Sequence, residues 1–371
     1  MEPISETLTS PSSVPTLPFD LISEILCNLP VKLLLQLQCV CKSWKSLISD
    51  HNFAKKHLRK STPRLMVSII NNRHKNVSLF DSPIPSLFST LKIQRTKLRF
   101  PNSLKNKYCS PSGVCSCDGI LCFVADNGSF VLWNPSIRKF KILPPLNNGG
   151  PASYYGYGFG FGYDHLTNNY KVVAVSLKEV SVYILGTDFW RTIQDFPHSS
   201  CSESSGVFVS GTINWLTEYY DHDGASSISR VIVSLDLAKE TYQKLSLPDL
   251  NNSLWTLGVL KDCLCICARS WGGKFLEVWV MNEFGNKESW AKLHTVSYTG
   301  DGGPYVIGKP LYIYEDNKLL MDFRDLEIGM VKLKLGFYDS KKDTLKILNH
   351  QNFECYMDPE VYVESLISPC F

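Results

Sequence analysis

The chain has 371 residues, 44% of them hydrophobic and 20% charged, enough to bury a sizeable core in two or three domains. Its formal net charge of +3 lacks the strongly basic balance that nucleic-acid-binding domains show, so no nucleic acid is expected as partner. No stretch approaches the roughly 18 consecutive apolar residues of a membrane span, which argues against a membrane partner.

Residues 1–15 are rich in Ser, Pro and Thr, and lack the basic start and apolar run of a secretory signal. They are expected to form a disordered tail, and the protein is expected in the cytoplasm, the nucleus or both. The thirteen cysteines agree with a reducing compartment: they are odd in number, scattered, and never spaced as C-x-x-C. Cys263, Cys265 and Cys267 alternate, which on a strand places all three on one face as small hydrophobes rather than as metal ligands. Neither a metal nor a cofactor is expected.

Residues 16–60 form a small domain whose apolar spacing is helical from Leu17 to His57. Ile22, Ile25, Leu26 and Leu29 form one stripe; Pro18 suits a first helical turn, and Asp20 complements the positive end of the helix dipole. Pro30 restarts the chain into Leu33, Leu34, Leu37 and Val40, and a third stripe follows at Val40, Trp44, Leu47 and Ile48. Three short helices result. About forty residues bury little apolar area, so the surplus of leucines packs either on the rest of the chain or on a partner. The basic run Lys55, Lys56, His57, Arg59 and Lys60 reads as a solvated helix end, or as a nuclear signal or anion-binding patch.

Residues 17–50, L-P-F-D-L-I-S-E-I-L-C-N-L-P-V-K-L-L-L-Q-L-Q-C-V-C-K-S-W-K-S-L-I-S-D, closely resemble the F-box in its plant form. The carriers are Leu17-Pro18, Glu24-Ile25-Leu26, Leu29-Pro30-Val31-Lys32, Val40-Cys41-Lys42 with Trp44, and Leu47-Ile48. The departure is Asn28, where the family often has Arg or Lys, at a position expected to face solvent. The resemblance implies that this surface docks on the Skp-type adaptor of a cullin-based ubiquitin ligase, with Leu17, Pro18, Ile22, Ile25, Leu26, Leu29, Pro30, Leu33, Leu37, Val40, Cys41, Trp44, Leu47 and Ile48 as the adaptor-binding residues.

Residues 61–371 change character, with abundant Gly, Trp and Tyr, short alternating runs and few helix formers. Strand pairs recur at Val77–Phe80 with Leu91, Phe130–Trp133 with Phe140, Val180–Ile184 with Trp190, Val231–Leu235 with Tyr242, Leu276–Val280 with Trp290, and Val331–Leu335 with Leu345. The second member of each pair falls at positions 91, 140, 190, 242, 290 and 345, a period close to the roughly 50 residues of a kelch-type blade. Six such units predict a propeller, since closing the ring buries apolar faces that a lone blade would expose. The first unit lacks an innermost strand, and Val361–Ile367 at the far end can supply it. The alternative is an open sandwich with that segment on its edge. The fold class is therefore α+β and multidomain: a small three-helix F-box, then an all-β six-bladed kelch-like propeller closed by a C-terminal strand.

This region also resembles the F-box-associated domain. The resemblance is carried by Gly119–Phe123, Leu132–Pro144, Tyr157–Asp164 with Tyr170–Val173, Trp279–Gly285 with Glu288–Trp290, and Tyr362–Pro369. Together the two resemblances imply a substrate receptor that binds an adaptor, through it a cullin and a ring-finger protein, and an unknown target protein.

Catalytic motifs are lacking. Gly156, Gly158, Gly160 and Gly162 alternate with aromatic residues without the spacing of a phosphate loop, and read as an inner strand where neighbours approach closely. Asp164, Asp236 and Asp339 are expected at equivalent turn positions after strands, where a carboxylate accepts from turn N–H groups. No catalytic residue is assigned and the chain is not expected to be an enzyme; the rival reading is a propeller enzyme, such as a glycosidase or oxidase, or a binding protein acting outside a ubiquitin ligase. In a four-stranded blade the 2–3 connections and the blade-to-blade connections share one face, and these are the long ones. Tyr219, Tyr220, Asp221, Asp223 and Trp271 there are the expected target-binding residues, with the helical module on the opposite face.

Overall fold

The structure, a computed structural model, describes residues 17–71, 76–90, 96–98, 113–125, 128–146, 157–176, 179–198, 201, 205–220, 228–248, 250, 255–269, 275–297, 306–315, 317–327, 330–348 and 359–370. Four helices open it: α1 (Phe19–Leu26), α2 (Val31–Leu37), α3 (Lys42–Ser49) and α4 (His51–Leu58). Pro18 and Pro30 stand at the N-caps of α1 and α2 with φ of −54° and −58°, already set for the turn that follows. The expected three helices are present, although α2 stops at Leu37 and leaves Val40 in the turn beyond it.

The fourth helix has a readable cause. Asp50 caps it, its side chain accepting from the Phe53 N–H at 2.9 Å. Phe53, Ala54 and His57 are buried on its inner side. The basic run is accordingly more than a solvated end. Lys56 pairs with Glu24 of α1, Lys60 reaches Glu24 and Asn28, and His57 Nε2 hydrogen-bonds the Leu29 carbonyl at 2.8 Å. Asn28 faces solvent, as expected.

The β region comprises six four-stranded antiparallel sheets. The first contains β1 (Pro63–Asn71), β2 (Asn76–Pro83) and β3 (Thr96–Leu98); the second, β4 (Val114–Cys117), β5 (Ile120–Val124), β6 (Phe130–Asn134) and β7 (Lys139–Ile142). The third runs through β8 (Tyr157–Asp164), β9 (Asn169–Ser176), β10 (Glu179–Ile184) and β11 (Trp190–Thr192). The fourth runs through β12 (Val207–Val209), β13 (Thr212–Tyr220), β14 (Ile228–Asp236) and β15 (Tyr242–Leu245). β16 (Trp255–Leu260), β17 (Cys263–Arg269), β18 (Phe275–Met281) and β19 (Trp290–Ser297) make the fifth. β20 (Val306–Tyr314), β21 (Lys318–Glu327), β22 (Met330–Asp339) and β23 (Thr344–Leu348) make the sixth.

The last strand, β24 (Glu360–Val363), returns to the first sheet and pairs antiparallel with β1, Pro63 opposite Val363 and Met66 opposite Glu360. The innermost strands touch in ring order, β24 with β4, β4 with β8, and so on round to β20 with β24. A six-bladed propeller closed by both chain ends is the result. Side chains lock the closure: Tyr362 donates to Asp81 Oδ2 at 3.0 Å, and the Arg64 guanidinium pairs with Asp81 and with Glu364.

Two details differ from the expectation. β24 stops at Val363 rather than Ile367, because Asn134 Nδ2 takes the carbonyls of Ser365 and Ile367 at 3.0 and 2.8 Å and draws the chain out of the ladder. In blade 1 a short helix, α5 (Ile84–Thr90), follows β2 and buries Ile84 and Leu87, so the outer strand lies at β3; Leu91 falls outside the described residues.

The glycine run lies on the innermost strand β8, as expected. A Cβ at Gly162 would stand 2.2 Å from the Phe208 ring of blade 4, and one at Gly160 would stand 2.3 Å from Ile213, so side chains here would hold the blades apart.

Candidate functional site

Two faces of the disc have different connections. Turns joining first to second and third to fourth strands share the face at which the chain enters β1, and the helical module packs there. Ala54 joins a buried cluster with Cys117, Tyr163 and Ile367, while Leu366 contacts both that cluster and the helical core. Lys55 hydrogen-bonds the Tyr163 hydroxyl and lies 4.2 Å from its ring centroid. This placement behind the disc is the expected one.

The short turns themselves are structural. Asp236 accepts from the Ala238 and Lys239 N–H groups, Asp339 from those of Lys341 and Lys342, and Asn134 from that of Ser136. Asp164 does the same with Leu166 and Thr167, but at a first-to-second-strand turn, so its position is not equivalent to those of Asp236 and Asp339, contrary to the sequence expectation. Its other oxygen lies 3.0 Å from Lys171, a buried lysine that also meets Glu240 of blade 4, itself paired with Arg191. Burial opposes ionisation of Asp164, but Thr167, Lys171 and two turn N–H groups outweigh it and hold the carboxyl below the usual range. Glu240 is lowered in the same way: burial opposes, while Arg191 and Lys171 prevail.

The helical module presents a different surface. Of eleven large apolar residues exposed among the described residues, six lie between positions 17 and 40: Leu17, Phe19, Leu21, Ile25, Leu33 and Val40. Isolated exposed apolar side chains are ordinary, whereas a concentration on two short helices and the residues flanking them marks a contact surface. Pro18, Pro30 and Cys41 are exposed beside them, and Ile22, Leu29, Leu37, Trp44 and Leu47 are half-buried at the margin of the helical core.

Two expected docking residues are elsewhere. Leu26 and Ile48 are 1% exposed and form the module's own core with Cys27, Leu34 and Phe53. Conversely, Phe19 and Leu21 were absent from the expected set and are about half exposed. A signal for them existed: α1 carries apolar residues on more than one side, so whichever side faces its own core, another is left to be covered.

On the far face, Tyr219 and Tyr220 end β13 opposite Ser229 and Ile228. Asp221, Asp223 and Trp271 lie outside the described residues. Along the axis the innermost strands enclose a cavity of about 700 Å³. At its mouth on the helical side, blade 5 contributes Lys261 and Asp262, with φ of 50° and 60°, where the equivalent hairpins of blades 2 and 4 carry Asp118-Gly119 and Ser210-Gly211. Left-handed backbone at both turn positions suits glycine, so blade 5 accepts strain to place two charged side chains there.

Cys265 and Cys267 are buried in the core between blades 5 and 6, and Cys263 packs against it, so the alternating thiols act as small hydrophobes. Among the described residues no three His, Cys, Asp or Glu side chains converge as metal ligands, and no helix is long and apolar enough to cross a membrane.

Comparison with known proteins gives concordant results. Residues 15–56 match the F-box domain model, and residues 68–369 match that of the F-box associated beta propeller domain. An F-box/kelch-repeat protein of Arabidopsis thaliana is 29% identical over 99% of both chains. The F-box protein CPR1 of the same plant is 26% identical over 96% of this chain and 89% of its own. Among solved structures, TolB from Acinetobacter baumannii superimposes with a TM-score of 0.50 at 10% identity, covering 82% of this chain and 67% of that one, a likeness of fold alone.

Proposed function

Because this chain belongs to the F-box proteins that carry an F-box-associated β-propeller domain, we propose that it is the substrate receptor of an SCF-type ubiquitin ligase and has no catalytic activity of its own. The observation that carries this reading is the unburied apolar surface of residues 17–40. Covering it is worth roughly 1.5–3 kcal/mol for each large side chain taken fully out of water. The partner that covers it is a Skp-type adaptor, and the adaptor joins the receptor to a cullin and its ring-finger protein.

The propeller holds the target on its long-connection face. Tyr219 and Tyr220 end a strand at that edge, and Asp221, Asp223 and Trp271 belong to the connections that continue from it. The helical module lies on the opposite face, so adaptor and target bind without collision. Receptor function then consists of proximity: target lysines are held at high effective concentration near the ubiquitin thioester carried by the ligase. The protein works in the cytoplasm, the nucleus or both.

Affinity purification of the full chain from plant cells tests the reading. A Skp adaptor and a cullin should co-purify in comparable amounts with it. A preparation that is folded by thermal melting and brings down neither would overturn it.

A further inference from the structure

Four arginines among the described residues are half-buried: Arg64, Arg191, Arg230 and Arg269. Three of them hold a carboxylate, Arg64 that of Asp81, Arg191 that of Glu240 and Arg230 that of Glu218. Arg269 is the exception, since its Nε is buried and has no acceptor among the described residues. Withdrawing a guanidinium from water without giving it an acceptor costs stability, and such a group calls for a partner from outside the chain.

The place of Arg269 says which partner. It ends β17, the second strand of blade 5, and pairs with Leu276 of β18. The connection between these two strands belongs to the long-connection face, and Trp271 is part of it. Strand alternation sets Arg269 on the side of β17 that carries Cys265 and Cys267, which pack with Met321 and Phe323 of blade 6. There its aliphatic stem continues the apolar layer between the blades, which accounts for the buried Nε, while the strand end keeps the guanidinium at the long-connection face. Phe275, the residue before Leu276, is 43% exposed, so this edge is open. Among the described residues Arg269 belongs to no cluster of free arginines, because Arg230 of the neighbouring blade is already neutralised by Glu218.

We propose that Arg269 anchors the target through one unmodified acidic side chain, Asp or Glu, in a peptide segment laid across the long-connection face of blade 5. This rests on the reading of that face as the one that holds the target. A single planar guanidinium matches a single carboxylate through two parallel N–H···O bonds. A phosphorylated side chain carries roughly two negative charges and is held by clusters of arginines instead. A neutral residue at the same place would leave the guanidinium as unsatisfied as it is in the free chain, so the acid decides the affinity.

An array of degenerate short peptides tests the proposal, each with its central residue fixed as Asp, Glu, phosphoserine, Asn, Gln or Ser, and probed with the labelled full chain. The Asp or the Glu series should bind at least about fivefold more strongly than the corresponding Asn or Gln series. Arg269→Gln should level that difference, and Arg269→Lys should keep part of it. Since the guanidinium has no acceptor to lose within the fold, Arg269→Gln should melt no lower than the unaltered chain. Equal binding of the acid and amide series, binding confined to phosphoserine, an acid preference that survives Arg269→Gln, or a melt of that variant several degrees lower would each overturn the proposal. Co-purification of the adaptor, read on the same chain and untouched by these changes, separates this result from the ligase assignment.

Discussion

The helical module and the propeller use the same apolar residue types in opposite ways. In the propeller, Phe161, Val173, Leu235, Ile266 and Phe323 are fully buried, and each blade covers its neighbour. In the module, five residues make the buried core while six large apolar side chains within residues 17–40 face outward. Size explains the contrast: a ring of more than three hundred residues closes on itself, whereas about forty residues cannot wrap their own surface. Apolar patterning therefore means self-burial in one region and an unmet partner in the other.

Removing residues 360–371 should damage the self-burying region most. Loss of β24 uncovers the ladder groups of β1, and loss of the buried Tyr362 alone is comparable to a large core truncation of about 3–5 kcal/mol. The truncated chain should aggregate on purification. A melting temperature equal to that of the full chain would contradict ring closure through this strand.

A charge buried between blades comes next. Lys171→Met leaves Asp164 and Glu240 without their shared cation, a change that costs about 3–5 kcal/mol for a buried pair. Acid should erase part of this difference. Both carboxyls are lowered in the fold, so their contribution is complete above the ordinary carboxylate range near pH ~4 and disappears as pH falls through the lower folded values. Melting curves of both proteins between pH 7 and 3 should show the gap constant at first, then narrowing; a gap independent of pH would contradict the assignment.

Within the module the two uses of leucine can be separated directly. Leu26→Ala should destabilise the helices by about 2–5 kcal/mol, whereas Leu17→Ala should change their stability by less than about 0.5 kcal/mol. Helical circular dichroism on chemical denaturation reads both. Equal losses would remove the distinction between core and contact surface. Smallest of all, Lys55→Ala should loosen α4 from Tyr163 by about 0.5–1 kcal/mol. Faster amide exchange in α4, with the blades unchanged, is the expected sign; unaltered exchange would show that Ala54 and Leu366 hold the junction alone.

Much of this architecture is legible in the sequence because a repeat advertises itself. Phe140, Trp190, Tyr242, Trp290 and Leu345 all fall on outer strands, and the need of blade 1 for an inner strand pointed to the C-terminus. Helix α4 was hidden by its charges. Only Phe53, Ala54 and Leu58 are apolar within it, and the purpose of Lys55 depends on Tyr163, 108 residues away in the chain. Periodicity also failed to say which side of a helix meets its own module. Leu26 and Ile48 turned inward while Phe19 and Leu21 turned outward, and that choice is made by the tertiary packing of α3 and α4.

The central claim is that the outward apolar side chains of residues 17–40 are the docking surface for a Skp-type adaptor. Its most direct measurement is the dissociation constant of the full chain for a recombinant adaptor, compared with that of a Leu17→Ala/Ile25→Ala/Leu33→Ala variant, with propeller melting followed in parallel. Loss of buried apolar anchors of this kind predicts binding weakened by at least about a hundredfold, with the propeller melting unchanged. Undiminished adaptor binding by the folded triple variant would contradict the account.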